Sequence, residues 1–129
     1  MARLYTAQEV IDRLRVEIDN GRPLFVPNCG SGLTARLQEM GGSDMIVVSG
    51  TSYWRLRGQG SLAALMPNSD INHIIFELAP EIVANVEDTP LLALSGAFNP
   101  LLSHKDHLRR LRDAGISGIN PFMIMIYGE

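Results

Sequence analysis

The sequence is short of several things, and each shortage excludes something. It has one cysteine, Cys29, so no internal disulfide can form and a reducing compartment fits. It has no excess of positive charge: the net charge is −3, which leaves no basic footprint for nucleic acid. It has no apolar run long enough to cross a bilayer; the longest, FMIMIY near the carboxyl terminus, has the length of a strand. The opening MARLYTAQEV lacks the apolar core of a signal peptide. No low-complexity segment, charge block or linker-like stretch interrupts the chain. The expectation is a cytoplasmic protein without membrane or nucleic-acid partners. What remains is ordinary globular material, 46% apolar and 19% charged over 129 residues, enough for one domain.

The first helix is strongly signalled. Thr6-Ala-Gln-Glu9 is a capping box, in which the hydroxyl and the carboxylate satisfy orphan backbone N–H groups. Val10, Ile11, Leu14 and Ile18 follow at helical spacing and predict an apolar face, and Asn20-Gly21 ends the helix. A pattern then repeats. Leu24-Phe-Val-Pro27 reads as a buried strand, and Gly30-Ser-Gly32 opens a helix with Leu33, Leu37 and Met40 on one face. Asp44 to Val48 is the second strand, followed by a long loop, GTSYWRLRGQG, and a short helix from Ser61 to Met66. Asp70 is placed to cap a helix bearing Ile71, Ile74, Ile75, Leu78 and Ile82, with a kink or restart expected at Pro80. Leu91 to Ser95 is the third strand, GAFNP its loop, Ser103 the cap of a polar helix ending at Gly115, and the fourth strand lies within Gly118 to Ile126.

Apolar strands alternating with helices imply an α/β fold with a parallel sheet covered by helices. In each unit the loop after the strand is richer in glycine and polar residues than the loop before it. Ligands of such folds sit beyond the carboxyl ends of the strands, so the phase of these loops points to a ligand site without naming the ligand.

The runs NCGSGLTARLQEMGGSDMIVV, WRLRGQGSLAALMPNSDIN and VEDTPLLALSGAFNP resemble the phosphoenolpyruvate-hydrolase-like TIM-barrel proteins, of the phosphoenolpyruvate mutase/isocitrate lyase type. The most specific piece is RLRGQGSLAALMPNSDIN, similar to the family's R-x-x-G-R-G-S-L-A-G-L-x-P-x-x-D-x-N. The chain departs from that pattern at Asn28, Cys29, Gln59 and Ala64, and only loosely matches it in INPFMIMIYGE. The resemblance implies the amino-terminal half of a TIM barrel: a helix over 1–20, then four parallel β/α units over 21–129, one partial domain. Family domains of this type run to about 250 residues. Four parallel strands leave two unpaired edges, barrel-lining side chains facing water and a fourth strand with no following helix. The chain is then a fragment of a full barrel, a half that completes itself by oligomerising, or an open sheet covered some other way.

Candidate chemistry gathers in the post-strand loops. Gly30, Ser31 and Gly32 stand between a strand and a helix, where backbone N–H groups can meet an oxyanion; turn formation with a serine cap is the plainer reading. Gly58-Gln-Gly60-Ser61 repeats the arrangement one unit later. Arg55 and Arg57 flank it, and a guanidinium grips phosphate or carboxylate with two parallel bonds. Arg55 is the one that matches the family's arginine. Tyr53 and Trp54 are pocket wall or packing. Asp70 could hold a metal-bound water or act as a base, against a rival role as helix cap; Asn72 follows it in the matched run. Asn99 could bond a substrate oxygen, with Asn120 a weaker candidate. His73 reads as structural, and His104 and His107 as a solvated face. Cys29 stands near a helix start, which can lower a thiol's pKa, yet has no base beside it in sequence.

The expected function is action on a small anionic substrate, a phosphorylated or phosphonate carboxylate such as phosphoenolpyruvate, by a hydrolase or lyase. The alternatives are a non-catalytic sensing or signal-transduction barrel and an inactive truncated product. The resemblance implies Mg²⁺, which barrels of this type bind through acids clustered at strand ends. No such cluster is visible here, and Asp44, opening the second strand, falls at the opposite, stability face.

Overall fold

The computed structural model describes residues 1–66, 69–96, 100 and 102–122, with Phe122 described by its backbone alone. The element order is α1 (Ala7–Asp19), β1 (Asn28–Cys29), α2 (Gly32–Met40), β2 (Ile46–Val48), α3 (Gly50–Leu56), a 3₁₀ turn (Ser61–Leu65), α4 (Ile71–Asn85), β3 (Leu91–Gly96), α5 (His104–Asp113) and β4 (Gly118–Phe122). The sheet has the order β1-β2-β3-β4. All three pairings are parallel, with Cys29 opposite Val48, Val48 opposite Ala93 and Ala93 opposite Ile119. This is the expected (β/α) succession, and every strand delivers its carboxyl end to the same rim.

β2 and β3 read as near-continuous apolar runs because both of their faces are covered. Ile46, Val48, Leu91 and Ala93 point toward the helices and pack with Ile75, Leu78, Ala79 and Ile82 of α4. Val47 and Leu94 point to the other face and pack on Ile71, with Leu92 partly buried beside them. The expectation that barrel-lining residues face water therefore fails for Val47 and Leu94, because the start of α4 folds over that face.

Four local expectations are revised. Leu24, Phe25 and Val26 are exposed, Pro27 is half-buried, and only Asn28–Cys29 pairs as strand. Pro27 has no N–H to give a ladder, although its carbonyl still accepts from Val47. The long loop after β2 contains α3, started by Ser49, whose hydroxyl accepts from the Ser52 amide. Pro80 does not restart the helix: α4 runs as one helix from Ile71 to Asn85 with Pro80 on its exposed side. A proline inside a helix costs about 3 kcal/mol. Burial of Ile74, Ile75, Leu78, Ile82 and Val83 offsets it at roughly 1.5–3 kcal/mol each.

The helix faces are the fourth revision. The capping box of α1 forms as read, and Gly21 takes a left-handed φ of +69° at its end. Yet α1 buries none of its residues. Its attachment comes from the preceding segment and from Arg13: the Ala2 amide donates to Val83, the Arg3 amide to Glu87, the buried Tyr5 hydroxyl to Asp88 Oδ1 at 2.7 Å, and the Arg13 guanidinium to Asp88 Oδ2 at 3.0 Å. In α2 the large stripe Leu33, Leu37 and Met40 is 66%, 56% and 74% exposed. The small face, Gly32 and Ala35, is buried instead. A Cβ on Gly32 would stand 2.9 Å from Glu81 Cγ and 3.0 Å from the Glu81 carbonyl oxygen, so α2 and α4 approach where side chains are smallest.

Glu39 closes the far end of the sheet. Its carboxylate accepts from the amides of Glu87, Asp88 and Thr89 at 2.9, 2.9 and 2.8 Å, tying α2 to the entry of β3. Partial burial pushes this carboxyl's pKa up, but the three backbone donors outweigh it and hold it below the usual carboxylate range. A depressed folded value stabilises above the unfolded pKa and is lost as pH falls through the folded one. Glu39→Gln is expected to lose roughly 1–3 kcal/mol at pH 7. In urea melts the gap to the parent chain should narrow on acidification below about pH 4; a gap constant with pH would remove the carboxylate's role.

Candidate active site at the carboxyl rim of the sheet

The first glycine loop lies directly beyond β1. Ser31 caps α2, its hydroxyl accepting from the Thr34 amide at 3.3 Å. The Gly32 amide, which the sequence offered to a substrate anion, donates instead to Glu81 Oε1 at 2.6 Å. The chain's own carboxylate takes the position that the helix start favours for negative charge. An anionic ligand at Gly32 would have to displace Glu81. Gly30 is a contact glycine: a Cβ there would stand 2.4 Å from the Tyr53 amide nitrogen and 2.5 Å from the Ser52 carbonyl carbon.

The second loop follows α3. Gly58 turns the chain with a φ of +75°, and Gly60 precedes the 3₁₀ turn in open space. Arg55 reaches across this loop and donates from Nε at 2.9 Å and Nη2 at 2.7 Å to the Ser61 hydroxyl oxygen. Arg57 is committed elsewhere, donating to the Tyr53 carbonyl at 3.1 Å with its guanidinium carbon 3.4 Å from the Tyr53 ring centroid. Tyr53 and Trp54 act as packing, meeting edge to face at 5.4 Å, and the Trp54 indole donates to Ser69 Oγ at 3.1 Å.

Arg55 and Gly30 come together in one cleft of about 210 Å³, with Asn28, Thr34, Gln38, Ser52 and Leu56 as the other walls. Gln38 spends its NH₂ on the Asn28 carbonyl at 2.9 Å. Its Oε1 is left buried without a partner among the described residues. The cleft thus holds a guanidinium fork, while the Thr34 hydroxyl on its wall donates to the Ser31 carbonyl at 2.9 Å.

Asp70 and Asn72 go to different work. Asp70 caps α4, accepting from the Asn72 amide at 2.9 Å and the His73 amide at 3.2 Å. Asn72 is buried, and both ends of its amide are used on the end of β3. Nδ2 donates to the Gly96 carbonyl at 2.9 Å, and Oδ1 accepts from the Gly96 amide at 2.9 Å and the Ser95 hydroxyl at 3.1 Å. Those bonds fill Oδ1 and use one of the two N–H donors of Nδ2. Asn99 lies outside the described residues, and Asn120 is exposed on β4.

The histidines reverse their expected roles. His73 is exposed and pairs with Glu77 at 3.1 Å. His107, expected on a solvated face, is buried, with Nε2 2.7 Å from Ser95 Oγ. The signal for it was its spacing: His107 and Leu111, four apart, are the two buried residues of α5. Cys29 is also buried, and desolvation pushes its thiol up to about 12, so the thiolate a nucleophile needs is not available near neutral pH.

A magnesium ion does not fit the described residues. Among them no group of three or more His, Cys, Asp or Glu converges on one point. The nearby acids are already spent, Asp70 on a helix cap and Glu81 on Gly32, and Asp44 lies at the opposite end of the sheet, accepting from the Phe25 amide at 2.7 Å.

A parallel β1-β2-β3-β4 sheet with open edges, its glycine loops at one rim and helices outside, defines part of a TIM-type barrel. The solved structures agree. Phosphoenolpyruvate phosphomutase from Streptomyces platensis subsp. rosaceus superposes with a TM-score of 0.61 at 22% identity, over 84% of this chain and 36% of that one. A phosphonopyruvate hydrolase in complex with oxalate and Mg²⁺ gives 0.57 at 22% identity, over 85% and 37%. The Phosphoenolpyruvate hydrolase-like family model matches residues 9–129, and the chain belongs to that family. Its relatives include the ToMV resistance protein Tm-1(GCR237) of Solanum lycopersicum, 33% identical over 113 residues, 88% of this chain and 15% of that protein. The putative transcriptional regulatory protein y4pA of Sinorhizobium fredii is 27% identical over 129 residues, 98% of this chain and 21% of that protein. The chain therefore spans a minor part of each relative's length.

Proposed function

We propose that residues 1–129 form one partial-barrel domain that binds and turns over a small phosphorylated or phosphonate carboxylate, with Arg55 as its anion grip. The observation that carries this reading is the Arg55 fork at the rim, closed on a single neutral hydroxyl at 2.9 and 2.7 Å. A phosphate or carboxylate oxygen is a stronger acceptor than Ser61 and can take both N–H bonds in its place. Ser61 would then turn its hydroxyl to the same anion, and the Gly60 backbone would border it. Gly30, Ser31 and Gly32 shape the first loop, and Asn72 holds the end of β3 in place. Asp70 at the mouth of α4 is the acid within the matched motif, and Asn99 is the further candidate for a substrate oxygen. No step is assigned to magnesium.

Among the described residues the outer edges of β1 and β4 have no partner strand, which makes them templates for further pairing. A two-fold axis parallel to the strands would set β4 of one copy beside β1 of another with every strand still parallel, closing eight strands. A dimeric solution mass fits that closure.

The function is tested by following pyruvate release from phosphoenolpyruvate and from phosphonopyruvate. Arg55→Ala should lower kcat/KM roughly tenfold to a hundredfold, the size of a lost charge-assisted bond. Turnover unchanged in Arg55→Ala removes the grip from the site. The second reading is a ligand-sensing barrel, favoured by the absence of an acid cluster among the described residues and by the regulatory relative. Saturable binding of these anions without pyruvate release would decide for it.

A further inference from the structure

Behind the rim, three buried side chains from three elements form one hydrogen-bonded line: His107 on α5, Ser95 on β3 and Asn72 on α4. Its partners fix which atom donates in each bond. The Gly96 amide needs an acceptor and the Gly96 carbonyl a donor, which fixes the Asn72 amide with Oδ1 toward the first and Nδ2 toward the second. Ser95 has one hydroxyl proton and donates it to Asn72 Oδ1. Its oxygen is left as the acceptor for His107, so the proton on the ring sits on Nε2. Nδ1 is then a bare lone pair, buried and without a partner among the described residues.

Among the described residues nothing accepts a second ring proton. The space beside the ring is a cavity of about 110 Å³ walled by Leu102, Leu108 and Ile119 together with Ser95 and His104. Phe76 of α4 meets the imidazole edge to face at 5.7 Å, and Arg110 lies over the Phe76 ring at 4.4 Å. Burial disfavours the imidazolium first, then the charges of Arg110 and His104; Asp70 at the start of α4 opposes them and is outweighed.

We propose that His107 is a positioning residue for the carboxyl rim, holding the end of β3 against α4 through Ser95 and Asn72 only while it is neutral. This rests on the reading of that rim as the functional site. Protonation would bury an N–H without an acceptor next to a cation, and α5 must then give up the ring to water. Ser95 loses its donor, and the line that pins Gly96 loosens where the rim loop begins. The sign follows from linkage. The folded pKa is depressed, so the stabilisation is complete above the usual histidine value of about 6.5 and falls as pH drops below it.

The test is nuclear magnetic resonance on the whole chain. Long-range ¹⁵N spectra should show the Nε2–H tautomer at pH 7.5. Exchange of the Gly96 amide, taken relative to that of Ala93, should rise about tenfold or more between pH 7.5 and 5.5. His107→Gln keeps a side-chain donor for Ser95 but cannot titrate, and should hold the Gly96 ratio flat over the same range. An Nδ1–H tautomer, an imidazolium at neutral pH, or the same acid loss in His107→Gln would overturn the proposal. If His107→Gln does not fold, the tautomer and titration of the parent ring still decide. None of these readouts depends on turnover, so a chain that releases no pyruvate would sink the proposed function and leave this inference standing.

Discussion

Gly30→Ala is expected to be among the most damaging single substitutions in this chain, costing about 3 kcal/mol or more, at the upper end of what overpacking does. The added methyl would stand 2.4 Å from the Tyr53 amide nitrogen, 2.5 Å from the Ser52 carbonyl carbon and 2.7 Å from the Ser52 carbonyl oxygen. All three are backbone atoms of α3, so no rotamer change relieves the contact; the helix itself has to move. α3 also carries Arg55, which means the displacement reaches the candidate site. Gly60→Ala provides the contrast. Its Cβ meets nothing within 4 Å and its φ is −71°, a value any residue adopts. That variant should melt within about 0.5 kcal/mol of the parent, as surface changes usually do. Thermal or urea unfolding of the two side by side checks both. Equal stability of Gly30→Ala and the parent would mean that α3 does not lie against the first loop.

Asn72→Ala is the second large expected loss. One side chain serves the Gly96 amide, the Gly96 carbonyl and the Ser95 hydroxyl, all buried. Each buried polar group left unpaired costs about 1–3 kcal/mol, so the total should reach at least 3 kcal/mol unless water enters the gap. The effect should be local in origin: amides at the end of β3 should lose exchange protection before those at Leu91. Asn72→Asp should also destabilise, because a carboxylate keeps an acceptor for the Gly96 amide but faces the Gly96 carbonyl without a donor. If Asn72→Ala unfolds at the parent's urea concentration, Asn72 does not pin the strand, and the substrate role suggested by its place in the motif regains its ground.

Much of the fold can be read along the chain because its signals are local. The Thr6–Glu9 capping box, the Ser31 and Ser103 caps, the Gly21 and Gly115 stops and the apolar runs of β2 and β3 each involve residues a few positions apart. What escaped local reading involves distance in sequence. α3 looked like a loop because its stability comes from Tyr53 and Trp54 settling on a core built by other elements. The Leu33-Leu37-Met40 stripe looked like a core face, but the approach of α4 selected the side where Gly32 and Ala35 allow contact. The anion expected at the Gly32 amide turned out to be Glu81, forty-nine positions away. Asp70 was found in the capping role that competed with catalysis from the start.

The sequence by itself determined the parallel α/β alternation, the rim at which the glycine loops gather, and the family to which the chain belongs. Those follow from periodicity, turn chemistry and motif, which are short-range. Tertiary structure alone decided which polar groups at that rim are free. It spent Gly32, Asp70 and Asn72 on the protein's own backbone and carboxylates, left Arg55 on an exchangeable hydroxyl, and buried His107 where none of the described residues accepts a second proton. The physical reason is that a buried polar group must find its partner wherever the fold brings one near, and that nearness is not written in the spacing of residues along the chain.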